Sequence, residues 1–81
     1  MTSIGDRARE AREELGLTVG DVWRRMRSID PDGSPSRGWL PAIENHAPRD
    51  PGWSRVDLLA RVLNVAALWL FRGEGPRERA T

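Results

Sequence analysis

Two helix starts separated by one helix stop constrain this chain more than any other feature. Ser3-Ile4-Gly5-Asp6 and Thr18-Val19-Gly20-Asp21 share a hydroxyl-x-x-acid pattern. The hydroxyl can accept a hydrogen bond from an otherwise unpaired first-turn amide, and the acid lies where the helix dipole is positive. Between the two starts, Ile4, Ala8, Ala11 and Leu15 recur at helical spacing and define one apolar face. Gly16 then stands where a left-handed residue ends a helix, with Leu17 just beyond it. The spacing predicts a helix over residues 4–15 and a second one following at once. On the first helix's other face, Arg9 and Glu13 are placed for a solvated i,i+4 pair.

The rest of the chain continues in the same style. Ser54-Arg55-Val56-Asp57 repeats the start pattern. Two starts carry a hydrophobic staple as well, Leu17 with Val22 and Trp53 with Leu58. The second helix places Val19, Val22, Trp23 and Met26 on one face, with Arg24, Arg25 and Arg27 flanking it. Arg27 to Gly38 is an irregular segment containing the turn signature Asp30-Pro31-Asp32-Gly33. A short third helix over Trp39–Asn45 turns Leu40 and Ile43 inward, and Pro41 confines its start to Gly38–Leu40. His46, which ends that helix, opens a loop to Gly52. A fourth helix over Arg55–Leu63 buries Val56, Leu59, Ala60 and Leu63, with Asn64 as a left-handed ending. A fifth runs from Ala66 to Phe71. The expected fold class is all-α, a single compact five-helix domain over residues 1–73 with a disordered tail over 74–81.

Composition removes several functional classes. The chain has no cysteine and only one histidine, His46. Disulfides, thiolate zinc sites, cysteine nucleophiles and multi-histidine metal sites are therefore excluded within one chain. With no glycine-rich phosphate loop and no converging nucleophile and base, an enzyme is not expected, nor is a cofactor or a small-molecule substrate. Asp30 and Asp32 are explained as turn residues. The amino terminus has no signal layout, and the longest apolar run, Val65 to Phe71, is too short to span a bilayer. A soluble, cytoplasmic protein without membrane contact is the expectation. Net charge is only +1, a weak pointer to a polyanion. All the cations are arginine, whose planar fork suits phosphate and guanine. Because a GC-rich source gives the same bias, arginine content alone assigns no partner.

Residue-specific similarity goes further. The stretch Ile4–Thr18 resembles the first helix and second-helix cap of the Cro/repressor-like (lambda-repressor-like) helix-turn-helix family. Ile43-Glu44 is similar to the end of that family's third helix. Pro51, Val56, Leu59, Ala60, Leu63, Val65 and Trp69-Leu70 with Gly73-Glu74-Gly75 are similar to its closing helices. The resemblance implies a five-helix helix-turn-helix fold and a small transcriptional regulator, or phage-type control protein, that binds double-stranded DNA. Val19 stands where the family carries glutamine, and Trp23 stands where it carries a small alanine. The Arg27–Gly38 segment replaces a tight turn of about three or four residues. These departures imply weaker or broader sequence preference.

Within that reading, Arg37 is the candidate for a two-pronged guanine contact, and an ordinary exposed loop arginine is the alternative. Arg24, Arg25 and Arg27 are candidates for phosphate neutralisation, or simply favour the carboxyl end of their helix. Ser36 and Trp39 begin the reading segment, although tryptophan in so short a chain more often packs in the core. Trp23 and Trp69 are assigned to packing. Asn45 and Arg49 line the DNA-facing side by family analogy. The rival function is a protein-binding module that keeps the fold without reading an operator. Lastly, Val65–Phe71 is apolar throughout, so Leu68, Trp69 and Phe71 are expected to form a homodimer interface.

Overall fold

A computed structural model describes residues 2–47 and 50–79. Among the described residues the order is α1 (Ile4–Glu14), α2 (Val19–Ile29), α3 (Trp39–Glu44), α4 (Trp53–Leu63) and α5 (Ala67–Arg72). The domain is all-α and compact, with a radius of gyration of 11.4 Å. None of these helices is long and apolar enough to cross a membrane.

The first two starts form as written in the sequence. The Ser3 hydroxyl accepts from the Asp6 amide while the Asp6 carboxylate accepts from the Ser3 amide, and Thr18 and Asp21 repeat the exchange. Gly16 adopts φ +69°. Its amide donates to the Glu13 carbonyl and that of Leu17 to Arg12, the paired closure that ends a helix on a left-handed residue. Leu15, expected on the buried stripe, is 49% exposed because α1 has already ended at Glu14.

The third start pattern does not cap anything. Gly52 is the N-cap of α4, and Ser54 lies inside the helix. The Gly52 amide is held by the Asp50 carboxylate at 2.9 Å, and the Pro51 carbonyl accepts from the Trp39 indole at 3.2 Å. The local Asp50 bond and the tertiary Trp39 bond together fix the start at Trp53, two residues ahead of the position the hydroxyl-x-x-acid pattern suggests. Trp53 is therefore not a staple to Leu58. It is half exposed and stacks on Phe71, with ring centres 5.4 Å apart.

The core gathers Ala8 and Ala11 from α1, Val22 and Met26 from α2, Leu40 and Ile43 from α3, Val56, Leu59 and Leu63 from α4, and Leu70 from α5. Gly5 lets α1 lie directly against the end of α3: a Cβ there would stand 2.1 Å from the Ile43 carbonyl oxygen. No side chain fits at such a distance.

The segment after Gly73, expected as a disordered tail over 74–81, is described as far as Arg79 and returns to the rest of the domain. The Arg77 carbonyl accepts from the Ala66 amide at 2.8 Å, and Glu78 forms an antiparallel bridge with Val65. The chain is packed against the α4–α5 corner as far as Arg79, where the described residues end.

Candidate nucleic-acid interface

α3 is held at both ends, and the holding is polar. Glu44 sits on the same stripe as Leu40, one helical turn on, so its carboxylate is carried into the interior and is 3% exposed. A buried carboxylate is costly unless charges and hydrogen bonds meet it. Arg12 meets both oxygens at 2.8 Å, and Arg9 adds a contact at 3.2 Å. Arg12 also donates to the Leu17 carbonyl at 2.9 Å, which joins α1, α3 and the entry to α2. Hydrogen bonding to Glu44 raises the Arg12 guanidinium above its ordinary value. The sequence expectation paired Arg9 with Glu13; the structure turns Arg9 to Glu44, because a desolvated carboxylate draws it more strongly than an exposed one.

Beyond Glu44, His46 takes the left-handed conformation at φ 62° and ends α3. Its Nδ1 lies 3.1 Å from the Ser3 hydroxyl and its Nε2 lies 3.1 Å from the Asp6 carboxylate. The Asp6 carboxyl is held below the ordinary carboxylate value, chiefly by the Ser3 amide. The end of α3 is thereby fastened to the N-cap of α1.

This anchoring leaves α3 little to offer a ligand. Trp39, Leu40, Ile43 and Glu44 are buried, and Pro41 and Ala42 are half-buried. Trp39 was expected among the DNA-facing residues. It is 3% exposed, with its indole N–H committed to Pro51, so its ring belongs to the core.

The exposed cations gather one step earlier in the chain. Trp23 is half-buried at the edge of α2, where its indole N–H donates to the Pro35 carbonyl at 3.0 Å. That bond pins the Asp30–Gly38 connection to α2. Asp30 accepts from the Gly33 amide at 2.9 Å and closes the expected turn. Arg37 is carried back over the Trp23 ring, its guanidinium carbon 4.7 Å from the ring centre, and Arg27 approaches the same ring at 5.5 Å. Such contacts contribute about 0.5–1 kcal/mol each at exposed sites, enough to bias where two long side chains point. Arg24 is next to them and bonds Asp21 at 2.6 Å. Val19, Gly20, Trp23, Arg24 and Arg37 line one shallow hollow. The Thr18 amide, followed by the Thr18 hydroxyl and Arg24, holds the Asp21 carboxyl below its ordinary value. Among the described residues, Arg27 and Arg37 form no ion pair.

The other nominated residues divide. Ser36 is exposed beside Arg37, its carbonyl accepting from the Trp39 amide at 3.1 Å. Arg25 does not line the Trp23–Arg37 hollow; it borders one hollow with Asp21 and Arg24 and another with Ser28, Ile29 and Arg61. Asn45 is exposed at the far end of α3, about 9 Å along the axis from its first residue. Arg49 lies outside the described residues. Of the proposed dimer residues, Leu68 is 45% exposed, while Phe71 is stacked on Trp53 and Trp69 lies beneath Arg77.

Two features escaped the sequence reading: the organising role of Trp23 and the inward arginines of α1. Both had a signal. Trp23 and Arg27 are one turn apart on α2, and Arg7 lies on the Ile4–Ala11 stripe, where a charge needs a buried partner. Arg7 finds one at the end of α5, donating to the carbonyls of Leu70 at 3.0 Å and Phe71 at 2.9 Å. Comparison with protein-family models, curated proteins and solved structures finds no match to this chain.

Proposed function

We propose that this domain is a small, noncatalytic duplex-DNA-binding protein of the transcriptional-regulator type, built on a lambda-repressor-like helix-turn-helix plan. The observation that carries the reading is the convergence of Arg27 and Arg37 on Trp23, with Arg24 alongside. Cations from a helix and from the following loop are held on one edge, and among the described residues no carboxylate pairs with either Arg27 or Arg37. Duplex DNA supplies the missing partners, a phosphate oxygen for one and a base edge for the other. Helix order supports the plan, as does the joining of α1 to α3 through Glu44. With most of α3 turned inward, sequence reading falls to the loop before it, where Arg37 and Ser36 are exposed. Arg37 is the base-contacting residue in this proposal; Arg24 and Arg27 position the protein on the backbone. Two copies pairing through Leu68 and the Trp53–Phe71 stack would present two such edges to half-sites about 34–36 Å apart.

A salt titration on duplex DNA tests this. Log affinity should fall linearly with log salt, with a slope of about −0.9 per phosphate contact. Arg24→Ala or Arg27→Ala should lower that slope by about one contact on every duplex. Arg37→Ala should instead cost about 1–3 kcal/mol on the preferred site and relax preference there. Sedimentation of the same samples, with Leu68→Glu as control, reads the pairing. Absence of binding at low salt transfers the assignment to a protein-binding module, a reading favoured by the net charge of only +1 and by the partly exposed apolar pair Pro41–Ala42.

A further inference from the structure

Trp23 holds Arg37 twice, and the two contacts differ in kind. Its indole N–H donates to the Pro35 carbonyl at 3.0 Å, which fixes the backbone just ahead of Arg37. The same ring carries the Arg37 guanidinium, whose central carbon is 4.7 Å from the ring centre. Around Arg37 the chain is closed again, since the Ser36 carbonyl accepts from the Trp39 amide at 3.1 Å and Trp39 is buried in the core. Arg37 is thus an exposed side chain on a backbone fastened at both ends. Among the described residues its N–H donors meet neither a carboxylate nor a carbonyl.

Such a preset cation suits one kind of DNA contact more than the other. A phosphate contact rewards charge over a wide range of approach and carries no sequence information. A guanine edge accepts two hydrogen bonds only from a guanidinium aligned with it. Ordering a long side chain for that alignment weakens binding, unless the free protein has ordered it already. An aromatic ring does this without neutralising the charge. Arg24, turned toward Asp21 at 2.6 Å, and Arg27, at 5.5 Å from the Trp23 ring centre, need no comparable alignment to meet phosphate.

We infer that Trp23 is the positioning residue for base selectivity, setting how sharply Arg37 discriminates among base pairs while adding little to the hold on DNA. The inference rests on the duplex-binding reading above. The indole N–H determines where the Arg37 side chain starts, and the ring face determines where its end lies. Trp23→Phe keeps the second contact without the first, and Trp23→Leu removes both. In this arrangement the tryptophan that stands in place of a small alanine narrows preference.

The test begins with wild-type protein selecting a preferred duplex from a randomised pool at low salt. Fluorescence anisotropy then compares that duplex with an unrelated one of equal length. Trp23→Leu, with its helical circular dichroism checked against wild type, should lower the affinity ratio of the two duplexes by about two- to tenfold. That range is the ordering cost of one long side chain written as a ratio. Affinity for the unrelated duplex should change by less than about twofold, with its salt slope unchanged. Trp23→Phe should give a ratio between those of wild type and Trp23→Leu. In the free protein, the indole should shift the Arg37 side-chain proton resonances upfield, and Trp23→Leu should abolish that shift. On an Arg37→Ala background, Trp23→Leu should lower the ratio no further, which distinguishes action through Arg37 from a general loosening of the domain. A further loss on that background overturns the inference, as does an unchanged ratio in the folded Trp23→Leu protein. Should Trp23→Leu lose its helical signal, Trp23→Phe carries the test, and a ratio equal to wild type overturns the inference. Pool binding that enriches no preferred duplex overturns the inference and leaves the duplex-binding reading standing. Absence of any pool binding at low salt overturns both.

Discussion

Arginine does opposite work on the two flanks of this domain. On α1, Arg7 and Arg12 point inward to a helix end and a buried carboxylate, and the exposed Arg9 reaches the same carboxylate from the rim. On the α2–loop edge, Arg27 and Arg37 stay exposed and rest on an indole. The side chain is the same, so the difference comes from what the backbone brings within reach. α1 faces orphan carbonyls and Glu44, which need charge-assisted donors more than water can supply them. The α2 edge faces a tryptophan, which orients a guanidinium without neutralising it. The first arrangement makes arginine part of the fold, and the second leaves its charge available to an anionic partner.

The sharpest way to break that contrast is Glu44→Ala. Removing one partner from a buried pair costs about 3–5 kcal/mol, a large share of the roughly 5–15 kcal/mol that holds a domain together. Urea unfolding should show the midpoint falling by that order. Arg12→Ala should follow closely, since its side chain is 15% exposed, whereas Arg9→Ala, at 47%, should cost about 1 kcal/mol or less. A loss below about 1 kcal/mol for Glu44→Ala would mean that the α1 arginines are as solvated as those of α2.

The contrast also explains what could be read from the sequence. The Ser3 and Thr18 starts, the Gly16 stop and the inward Leu40–Ile43 pair depend on contacts within a few residues, so they were legible. The Ser54 start has the same local pattern and failed, because Asp50 and the Trp39 indole fix the chain at Gly52 from outside the helix. Arg7 and Glu44 stand as charges on apolar stripes, but Leu70 and Phe71, which meet Arg7, and Arg9 and Arg12, which meet Glu44, are more than thirty residues away in sequence. The Arg37–Trp23 contact depends on the Trp23–Pro35 bond, which pins the loop that carries Arg37. The tail is composed like a frayed end, and its seat, Trp69, Glu14 and the Val65–Ala66 backbone, is brought together by the fold.

A smaller effect separates local from tertiary support. Thr18→Ala removes a cap and should cost about 1 kcal/mol near neutral pH, between the Glu44 result and the surface arginines. The cost should depend on acidity in a defined sense. Asp21 titrates below its ordinary 3.8 in the folded chain, so what its ionised carboxylate contributes is fully present above about pH 4. That contribution is lost as pH falls through the folded value. Wild type should therefore lose stability more steeply than Thr18→Ala on acidification, and the two unfolding curves should converge toward pH 2. Parallel curves across that range would show that the Thr18 hydroxyl adds little to what the Thr18 amide, kept in both proteins, does for the ionised Asp21.

The smallest expected effect carries the most information about function. Arg27→Ala and Arg37→Ala remove exposed side chains that bridge no helices, so each should change stability by no more than about 0.5 kcal/mol. Trp23 keeps its bond to Pro35 in both variants, so the loop stays pinned and circular dichroism should be unchanged. If the arginines exist to meet DNA, Arg27 through phosphate and Arg37 through a base edge, the same variants should nonetheless weaken duplex binding. A protein that tolerates the change in folding and not in binding separates the two uses of arginine within one chain. Should either variant instead lose more than about 1 kcal/mol of stability, the contact with the indole is structural after all. The α2 edge would then resemble the α1 face, and the reason for assigning it to a polyanion would disappear.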